Sequence, residues 1–208
     1  ESALKVAEFL LQIKAVRLTP STPITWASGW KSPIYCDNRK TLSYPQIRTY
    51  IRQQFVEVIT EQFGKPDVIA GVATGGIAMG ALVAQDLGIP FVYVRSSAKA
   101  HGLTNQIEGV LETGQSVVVL EDLVSTGNSS LNAVKALKEA GASIKGMAAI
   151  FTYGFDIAEE NFKEANCKLA TLTNYDSLLQ QALNTRFVKG EEIEALKEWR
   201  KSPSTWNV

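Results

Sequence analysis

Residues 117–130 read VVVLEDLVSTGNSS, and this stretch decides the fold. Its apolar half predicts a buried strand over 116–120, and a helix is predicted to start at Ser129. Two adjacent carboxylates, Glu121 and Asp122, stand where the apolar run stops, and a turn rich in hydroxyl groups follows. In an open sheet of parallel strands, functional loops lie at the carboxyl ends of the strands, so we look for chemistry there.

The alternation of strand and helix extends on both sides of this stretch. Further strands are predicted over 67–72, 89–94, 144–151 and 168–172. Continuously apolar strands that alternate with helices indicate an α/β fold, with a parallel-sheet core flanked by helices over about 66–175. Helices are predicted over 1–16, 45–63, 76–87, 129–140, 157–165, 177–183 and 191–200.

The amino-terminal part has a different character. Residues 17–45 hold four of the seven prolines and two of the four tryptophans, so we expect an irregular or short-stranded hood there. Residues 1–45 would then form a helix and a small N-terminal hood on the core. Because no Pro-, Gly- or Ser-rich linker divides the chain, 1–208 is predicted to be a single domain.

The overall composition excludes several classes of protein. Lys plus Arg number 21 and Asp plus Glu number 21, which argues against a general nucleic-acid binder. No apolar run approaches the ~18 residues of a membrane span, so no membrane partner is expected. The single histidine excludes a multi-histidine metal site, and no metal-ligating residue is predicted. A start without signal-peptide features and two cysteines without a CxxC pair favour a reducing, cytoplasmic location.

Two loops next to strand ends have the composition of anion sites. Residues 71–76 read GVATGG, and adjacent glycines can expose N–H groups to a phosphate or pyrophosphate. Close packing of a helix on a strand explains the same glycines equally well, so both interpretations stay open. Residues 95–109 form a long polar segment in which Lys99 and His101 could meet a polyanion when the loop closes.

The stretch from Glu121 to Ser129 has the composition of a sugar-phosphate site. Helix N-terminal N–H groups together with Ser and Thr hydroxyls suit a phosphate monoester. The carboxylates would repel that phosphate, so we expect them to bind ribose hydroxyls or a magnesium shell. Simple helix capping explains one residue of this run but not the whole of it.

These motifs resemble those of a known enzyme family. Residues 121–129 are similar to the phosphoribosyl-pyrophosphate (PRPP) signature of type I phosphoribosyltransferases. Residues 24–39, ITWASGWKSPIYCDNR, resemble the amino-terminal motif of the orotate phosphoribosyltransferase family. Residues 99–102, KAHG, resemble the mobile catalytic loop of that family, and the likeness runs from about residue 5 to about residue 185.

The resemblance implies a fold, a reaction and partners. The fold is the type I phosphoribosyltransferase fold, and the enzyme is a pentosyltransferase of UMP biosynthesis. It transfers the phosphoribosyl group of PRPP to orotate, which gives orotidine 5′-monophosphate and pyrophosphate. The implied cofactor is Mg²⁺, bound mainly through PRPP, and the implied assembly is a homodimer whose mobile loop acts in trans.

Site residues are carried over from the resemblance by position. It implies that Lys99, His101 and Asp122 are catalytic, with Lys99 and His101 on the leaving pyrophosphate. The implied PRPP-binding residues are Arg95, Lys99, His101, Glu121, Asp122, Leu123, Val124, Ser125, Thr126, Gly127, Asn128 and Ser129. The implied orotate-binding residues are Ser125, Lys31, Ile34 and Tyr35.

The chain departs from the family pattern at positions related to binding of the nucleobase. Ala27 and Gly75 stand where some members carry lysine, and Tyr153 stands where some carry the arginine assigned to the orotate carboxylate. Lys31 or backbone N–H groups could substitute for it. Two other functions remain as alternatives: a salvage enzyme for another nucleobase, and a PRPP-binding regulator without catalysis. The Ser-Gly-x-Lys-Ser-Pro motif favours orotate over the first, and Lys99 and His101 favour catalysis over the second.

Overall fold

The computed structural model of the chain describes residues 1–97 and 106–206. Within these ranges a helix or strand is present at each predicted position, with bounds that shift by a few residues. The helices are α1 (Ser2–Gln12), α2 (Pro45–Phe63), α3 (Ile77–Leu87), α4 (Asn128–Glu139), α5 (Asp156–Glu164), α6 (Tyr175–Asn184) and α7 (Gly190–Lys201). The strands are β1 (Val16–Leu18), β2 (Ile24–Thr25), β3 (Lys31–Ser32), β4 (Ile34–Cys36), β5 (Val68–Val72), β6 (Phe91–Val94), β7 (Ile107–Glu108), β8 (Ser116–Val124), β9 (Ser143–Thr152) and β10 (Leu169–Asn174).

The core is one six-stranded sheet in the order β10-β9-β8-β5-β6-β7. Five strands are parallel, which confirms the α/β class with a parallel-sheet core. The chain leaves β5 towards β6 and leaves β8 in the opposite direction towards β9, so the ends of β5 and β8 form a topological switch point. Open α/β sheets bind ligands in the crevice at such a point.

The edge strand β7 is an addition to the predicted parallel-sheet core. It pairs antiparallel with β6, with Tyr93 opposite Glu108. The predicted loop over 95–109 therefore contains a short strand near its end. Two residues are too few for an alternating pattern to be recognised in the sequence.

The central strand β8 is longer than predicted. It continues beyond residue 120 to Val124, because Leu123 and Val124 pair with Phe151 and Thr152 of β9. The prediction that the strand ends before Glu121 is therefore wrong: both carboxylates belong to the strand. Apolar residues beyond the two charges extend the ladder, and the pleat directs the neighbouring Glu121 and Asp122 to opposite faces.

The hood lies on this sheet as a separate layer of short elements. Strand β1 pairs with β4 and β2 with β3, and a 3₁₀-helix runs over Asn38–Ser43. The indole Nε1 of Trp199, on α7, donates to the carbonyl of Lys31 at 2.9 Å. The hood is thus joined to the last helix as well as to the core. Across the described ranges, no helix is both long and apolar enough to cross a bilayer.

Candidate functional site

The loops after β5 and β8 meet at the carboxyl edge of the sheet. A Cβ placed on Gly75 would lie 2.4 Å from Cγ of Asp122, so the carboxylate rests against the bare Cα of this glycine. A Cβ on Gly76 would meet the carbonyl of Leu120 at 2.4 Å. The glycine loop therefore packs directly on the strand with the two acids, as the packing interpretation of residues 71–76 requires. The Ala73–Thr74 peptide in this loop is cis.

The two acids have different environments. Glu121 is only 6% exposed, and its Oε2 accepts from the hydroxyl of Ser130 at 2.8 Å. Its Oε1 accepts from the backbone N–H of Asp122 at 2.9 Å. Burial, followed by the neighbouring Asp122, raises the pKa of Glu121 to about 8. Asp122 is half-buried at the crevice, so it is the carboxylate that can reach a ligand.

The turn from Ser125 to Asn128 has the geometry of a phosphate site. Gly127 has φ of +85° and precedes the first residue of α4, so backbone N–H groups of the helix start face the turn. A Cβ at Gly127 would meet the ring of Phe162 at 2.7 Å. The side-chain amide of Asn161, on α5, donates to the carbonyl of Thr126 at 3.0 Å. This hydrogen bond ties the turn to α5.

Arg95 borders a cavity of about 520 Å³ between the glycine loop and the end of β6. Its guanidinium forms an ion pair with Glu108 at 3.7 Å. Its Nη1, the nitrogen of that ion pair, is buried and has no hydrogen-bond partner among the described residues. A buried guanidinium nitrogen in a polar cavity suits an anion. The lining residues are Ala73, Thr74, Ile77, Tyr93, Arg95, Ser96 and Glu108.

The predicted catalytic residues Lys99 and His101 lie outside the described residues. The structure describes the two ends from which their segment leaves the sheet. The N–H of Arg95 donates to the carbonyl of Gln106 at 2.8 Å, so these ends pair with each other. The described residues on either side of the gap, up to 97 and from 106, therefore lie near the cavity of Arg95.

The amino-terminal motif reaches the same edge. The hydroxyl of Ser32 donates to the carbonyl of Ile34 at 2.8 Å and accepts from its N–H at 3.1 Å. Ile34 is buried, whereas the side chain of Tyr35 is 42% exposed. The amide of Asn38, which the sequence did not single out, donates to the carbonyl of Asp122 at 2.9 Å. This contact joins the predicted orotate-binding segment to the predicted ribose-binding acid.

Tyr153 lies inside an aromatic cluster below this motif. It is 2% exposed, with ring centroids 5.2 Å from Trp26 and 5.6 Å from Trp199. Burial raises the pKa of its hydroxyl well above the usual value, and Cys36 is a neighbour. A neutral, enclosed tyrosine cannot supply the positive charge that an arginine would supply at this position.

The chemistry of these side chains fits a metal ion that arrives with a ligand. Among the described residues, no group of three or more His, Cys, Asp or Glu side chains is arranged to hold a metal. Glu121 already has two hydrogen-bond donors, so Asp122 is the acid left for the crevice. One carboxylate suits Mg²⁺, which keeps several waters and takes further oxygens from substrate phosphates.

Comparisons with known proteins agree with this geometry. A family model described as the phosphoribosyl transferase domain matches residues 42–177. The orotate phosphoribosyltransferase of Porphyromonas gingivalis is 57% identical over 203 residues, which cover 98% of this chain and 97% of that protein. The protein of the same name from Listeria innocua is 58% identical over 202 residues, which cover 97% of each chain.

Solved structures with lower sequence identity have a similar fold. Orotate phosphoribosyltransferase from Aeropyrum pernix superposes with a TM-score of 0.77 at 26% identity, covering 88% of this chain and 99% of that one. The UMP synthase of Leishmania donovani superposes with a TM-score of 0.81 at 22% identity, a likeness of fold that covers 96% of this chain and 42% of that one. From its sheet, its loops and these relatives, the chain belongs to the orotate phosphoribosyltransferase family.

Proposed function

We propose that this chain transfers the 5-phosphoribosyl group of PRPP to orotate, giving orotidine 5′-monophosphate and pyrophosphate in UMP biosynthesis. The observation that carries the proposal is the position of Asp122. Its carboxylate lies against Gly75 of the glycine loop, on the strand that leads into the hydroxyl turn. Its carbonyl is bonded to Asn38 of the amino-terminal motif. Asp122 thus connects the glycine loop, proposed for pyrophosphate, with the hydroxyl turn, proposed for the ribose phosphate. It also connects both with the amino-terminal motif, which is proposed for the base.

The described residues divide the binding of PRPP among three loops. The 5′-phosphate binds at the turn from Ser125 to Ser129, where helix N–H groups and hydroxyls donate to its oxygens. Asp122 accepts from the ribose hydroxyls. Arg95 donates from its cavity to the pyrophosphate. Ser125 also contacts orotate, whose ring edge meets the segment of Lys31, Ile34 and Tyr35.

The chemical step needs no covalent intermediate with the protein. A ring nitrogen of orotate forms a bond to the anomeric carbon while the bond from that carbon to a pyrophosphate oxygen breaks. The proton of that nitrogen passes to water or to the departing pyrophosphate. Negative charge grows on the departing pyrophosphate, and Lys99 and His101 stabilise it there as hydrogen-bond donors. Closure of their loop excludes water, which would otherwise hydrolyse PRPP. The hydrogen bond from the side-chain amide of Asn38 to the carbonyl of Asp122 aligns the segment of Lys31, Ile34 and Tyr35 with the ribose.

Mg²⁺ belongs to the proposal as the cofactor that reaches the site mainly on PRPP. Asp122 is the described residue that would hold it, through the ribose hydroxyls or a water molecule. When bound, the ion supplies charge that neutralises phosphate oxygens in the transition state. A reducing, cytoplasmic setting is also proposed, and the two free thiols of Cys36 and Cys167 support it.

The proposal includes a homodimer in which the loop of one subunit serves the site of the other. A mixture of Lys99→Ala and Asp122→Asn proteins tests this arrangement. With the loop acting in trans, each mixed dimer contains one complete site, and a random mixture recovers about a quarter of wild-type activity. A loop that acts in cis would leave the mixture as inactive as its components.

The first experiment measures loss of orotate absorbance with PRPP and Mg²⁺, beside adenine, guanine, hypoxanthine and uracil. Orotate consumption that needs Mg²⁺ and is lost in Lys99→Ala is the expected result. Turnover of another base alone would identify a salvage enzyme. PRPP binding without turnover of any base would identify a regulator.

A further inference from the structure

Arg39 is a hood residue placed beside the proposed base and ribose sites. It directly follows Asn38, whose amide is 2.9 Å from the carbonyl of Asp122. Asn38 is 2% exposed, so this contact fixes the backbone of the 3₁₀-helix at the carboxyl edge of β8. The side chain of Arg39 therefore starts one residue from this contact with β8.

The guanidinium of Arg39 forms a hydrogen bond through its Nε atom alone among the described residues. Its Nε donates to Oδ1 of Asp37 at 2.9 Å, and its side chain is 59% exposed. Within residues 1–97 and 106–206, its two Nη groups have no hydrogen-bond partner. The pKa of the guanidinium is raised chiefly by Asp37, with smaller contributions from Asp122 and Tyr35. The proposed ribose acid Asp122 and the proposed base contact Tyr35 are therefore among the titratable neighbours of this guanidinium.

Orotate carries a carboxylate that has to be recognised at this edge. Tyr153 is enclosed among aromatic rings and offers no charge. The planar edge of a guanidinium forms two parallel hydrogen bonds to a carboxylate, which a lysine cannot do. We propose that the Nη groups of Arg39 bind the carboxylate of orotate, an inference that rests on the proposed function.

Asp37 acts in this arrangement as a positioning residue. Its side chain is 19% exposed, and its carboxylate accepts a hydrogen bond from Nε of Arg39. This bond orients the guanidinium. The rival cation is Lys31, which lies on the β2–β3 hairpin with its carbonyl tied to Trp199 of α7. Among the described residues, Lys31 makes no hydrogen bond or ion pair to β8, whereas the 3₁₀-helix that carries Arg39 is bonded to β8 through Asn38.

The test compares two nucleotides that differ in the carboxylate alone. Orotidine 5′-monophosphate carries it and uridine 5′-monophosphate lacks it, while the ribose and the 5′-phosphate are the same. Affinities for both are measured by titration calorimetry on wild type, Arg39→Gln and Arg39→Lys. Lys40→Gln is the matched control, because the neighbouring Lys40 donates to the carbonyl of Lys14 instead.

In Arg39→Gln we expect affinity for orotidine 5′-monophosphate to fall about 10- to 100-fold, the range of a charged hydrogen bond, with uridine 5′-monophosphate affinity unchanged. Arg39→Lys should fall between, and Lys40→Gln should match wild type. Equal loss for both nucleotides in Arg39→Gln, or retained discrimination, would overturn the proposal. Arg39→Lys gives the same comparison should the glutamine variant fold poorly.

Two further outcomes separate this inference from the function on which it rests. Discrimination lost in Lys31→Gln and kept in Arg39→Gln would assign the carboxylate to Lys31 and refute the role of Arg39. Failure of the wild-type protein to consume orotate would reject the proposed function itself. Orotate turnover with full discrimination in Arg39→Gln would reject the inference alone.

Discussion

The side-chain amide of Asn38 donates to the backbone carbonyl of Asp122 at 2.9 Å, across 84 residues of sequence. The donor belongs to the hood and the acceptor to the central strand. Asn38 is 2% exposed and Asp122 is half-buried, so the buried amide depends on this carbonyl for its hydrogen bond. The proposed base-binding segment and the proposed ribose-binding acid are therefore joined by a direct hydrogen bond.

Asn38→Ala should weaken both the fold and the site. The carbonyl of Asp122 loses its partner, so the free energy of unfolding should fall by about 1 to 3 kcal/mol in urea titrations. Misplacement of the hood should lower kcat/KM for orotate at least about 10-fold. The exposed Asn132→Ala on α4 is the control, with an expected change within about 0.5 kcal/mol. Wild-type kinetics in Asn38→Ala would show that the contact positions nothing.

Gly75→Ala should impair PRPP binding. The new methyl group would lie 2.4 Å from Cγ of Asp122, so the carboxylate or the loop has to move. A displacement of this size should reduce kcat/KM for PRPP by roughly 100-fold in steady-state assays. Gly190→Ala is the matched control, because nothing lies within 4 Å of the added atom. Equal kinetics in the two variants would contradict the close contact.

Glu121 should make stability depend on pH. Its pKa is raised from 4.5 to about 8 by burial, so between these values the folded protein binds more protons than the unfolded chain. The free energy of unfolding therefore falls as pH rises through this window, by at most about 1.4 kcal/mol per pH unit from this group. Denaturant titrations at pH 5, 6.5 and 8 measure the slope.

Glu121→Gln should flatten that slope, because the amide does not titrate. The hydroxyl of Ser130 keeps an acceptor in the variant, so the fold should survive. Glu57→Gln, at an exposed position of α2, should leave the slope as in wild type. A slope that persists in Glu121→Gln would assign the pH dependence to another group.

Trp199→Phe should loosen the hood without emptying the core. The ring stays apolar, but the carbonyl of Lys31 loses its donor at 2.9 Å. We expect a loss of about 1 to 3 kcal/mol in the free energy of unfolding and a raised KM for orotate. Trp206→Phe, at a half-buried position, is the control. Similar effects from both substitutions would mean that the Lys31 contact has no special role.

The core of the fold could be predicted because its signal is local. The valines of residues 117–119 and the turn that follows predict a strand and then a helix. This prediction needs no knowledge of tertiary contacts. The end of β8 could not be predicted locally, since pairing with β9 carries the strand past two charges to Val124. Tertiary pairing overrides the break that charged residues indicate.

The candidate site could be predicted by residue type more than by geometry. The acids and the hydroxyl turn resemble a PRPP site, yet the sequence does not distinguish the buried Glu121 from the accessible Asp122. That difference depends on Ser130 and on the pleat of the strand. Contacts such as that of Asn38 with Asp122 join distant segments, and the pattern of a single sequence carries no sign of them. The roles of Lys99 and His101 stay predictions.

The bond between Trp199 and Lys31 has a consequence for synthesis of the protein. Its partners are 168 residues apart, and the acceptor leaves the ribosome first. At about 5 to 20 residues per second, roughly 10 to 30 s pass between translation of the hood and translation of its anchor. During that interval the nascent hood has no α7 to contact, so the proposed base-binding surface is completed only when the last helix has emerged.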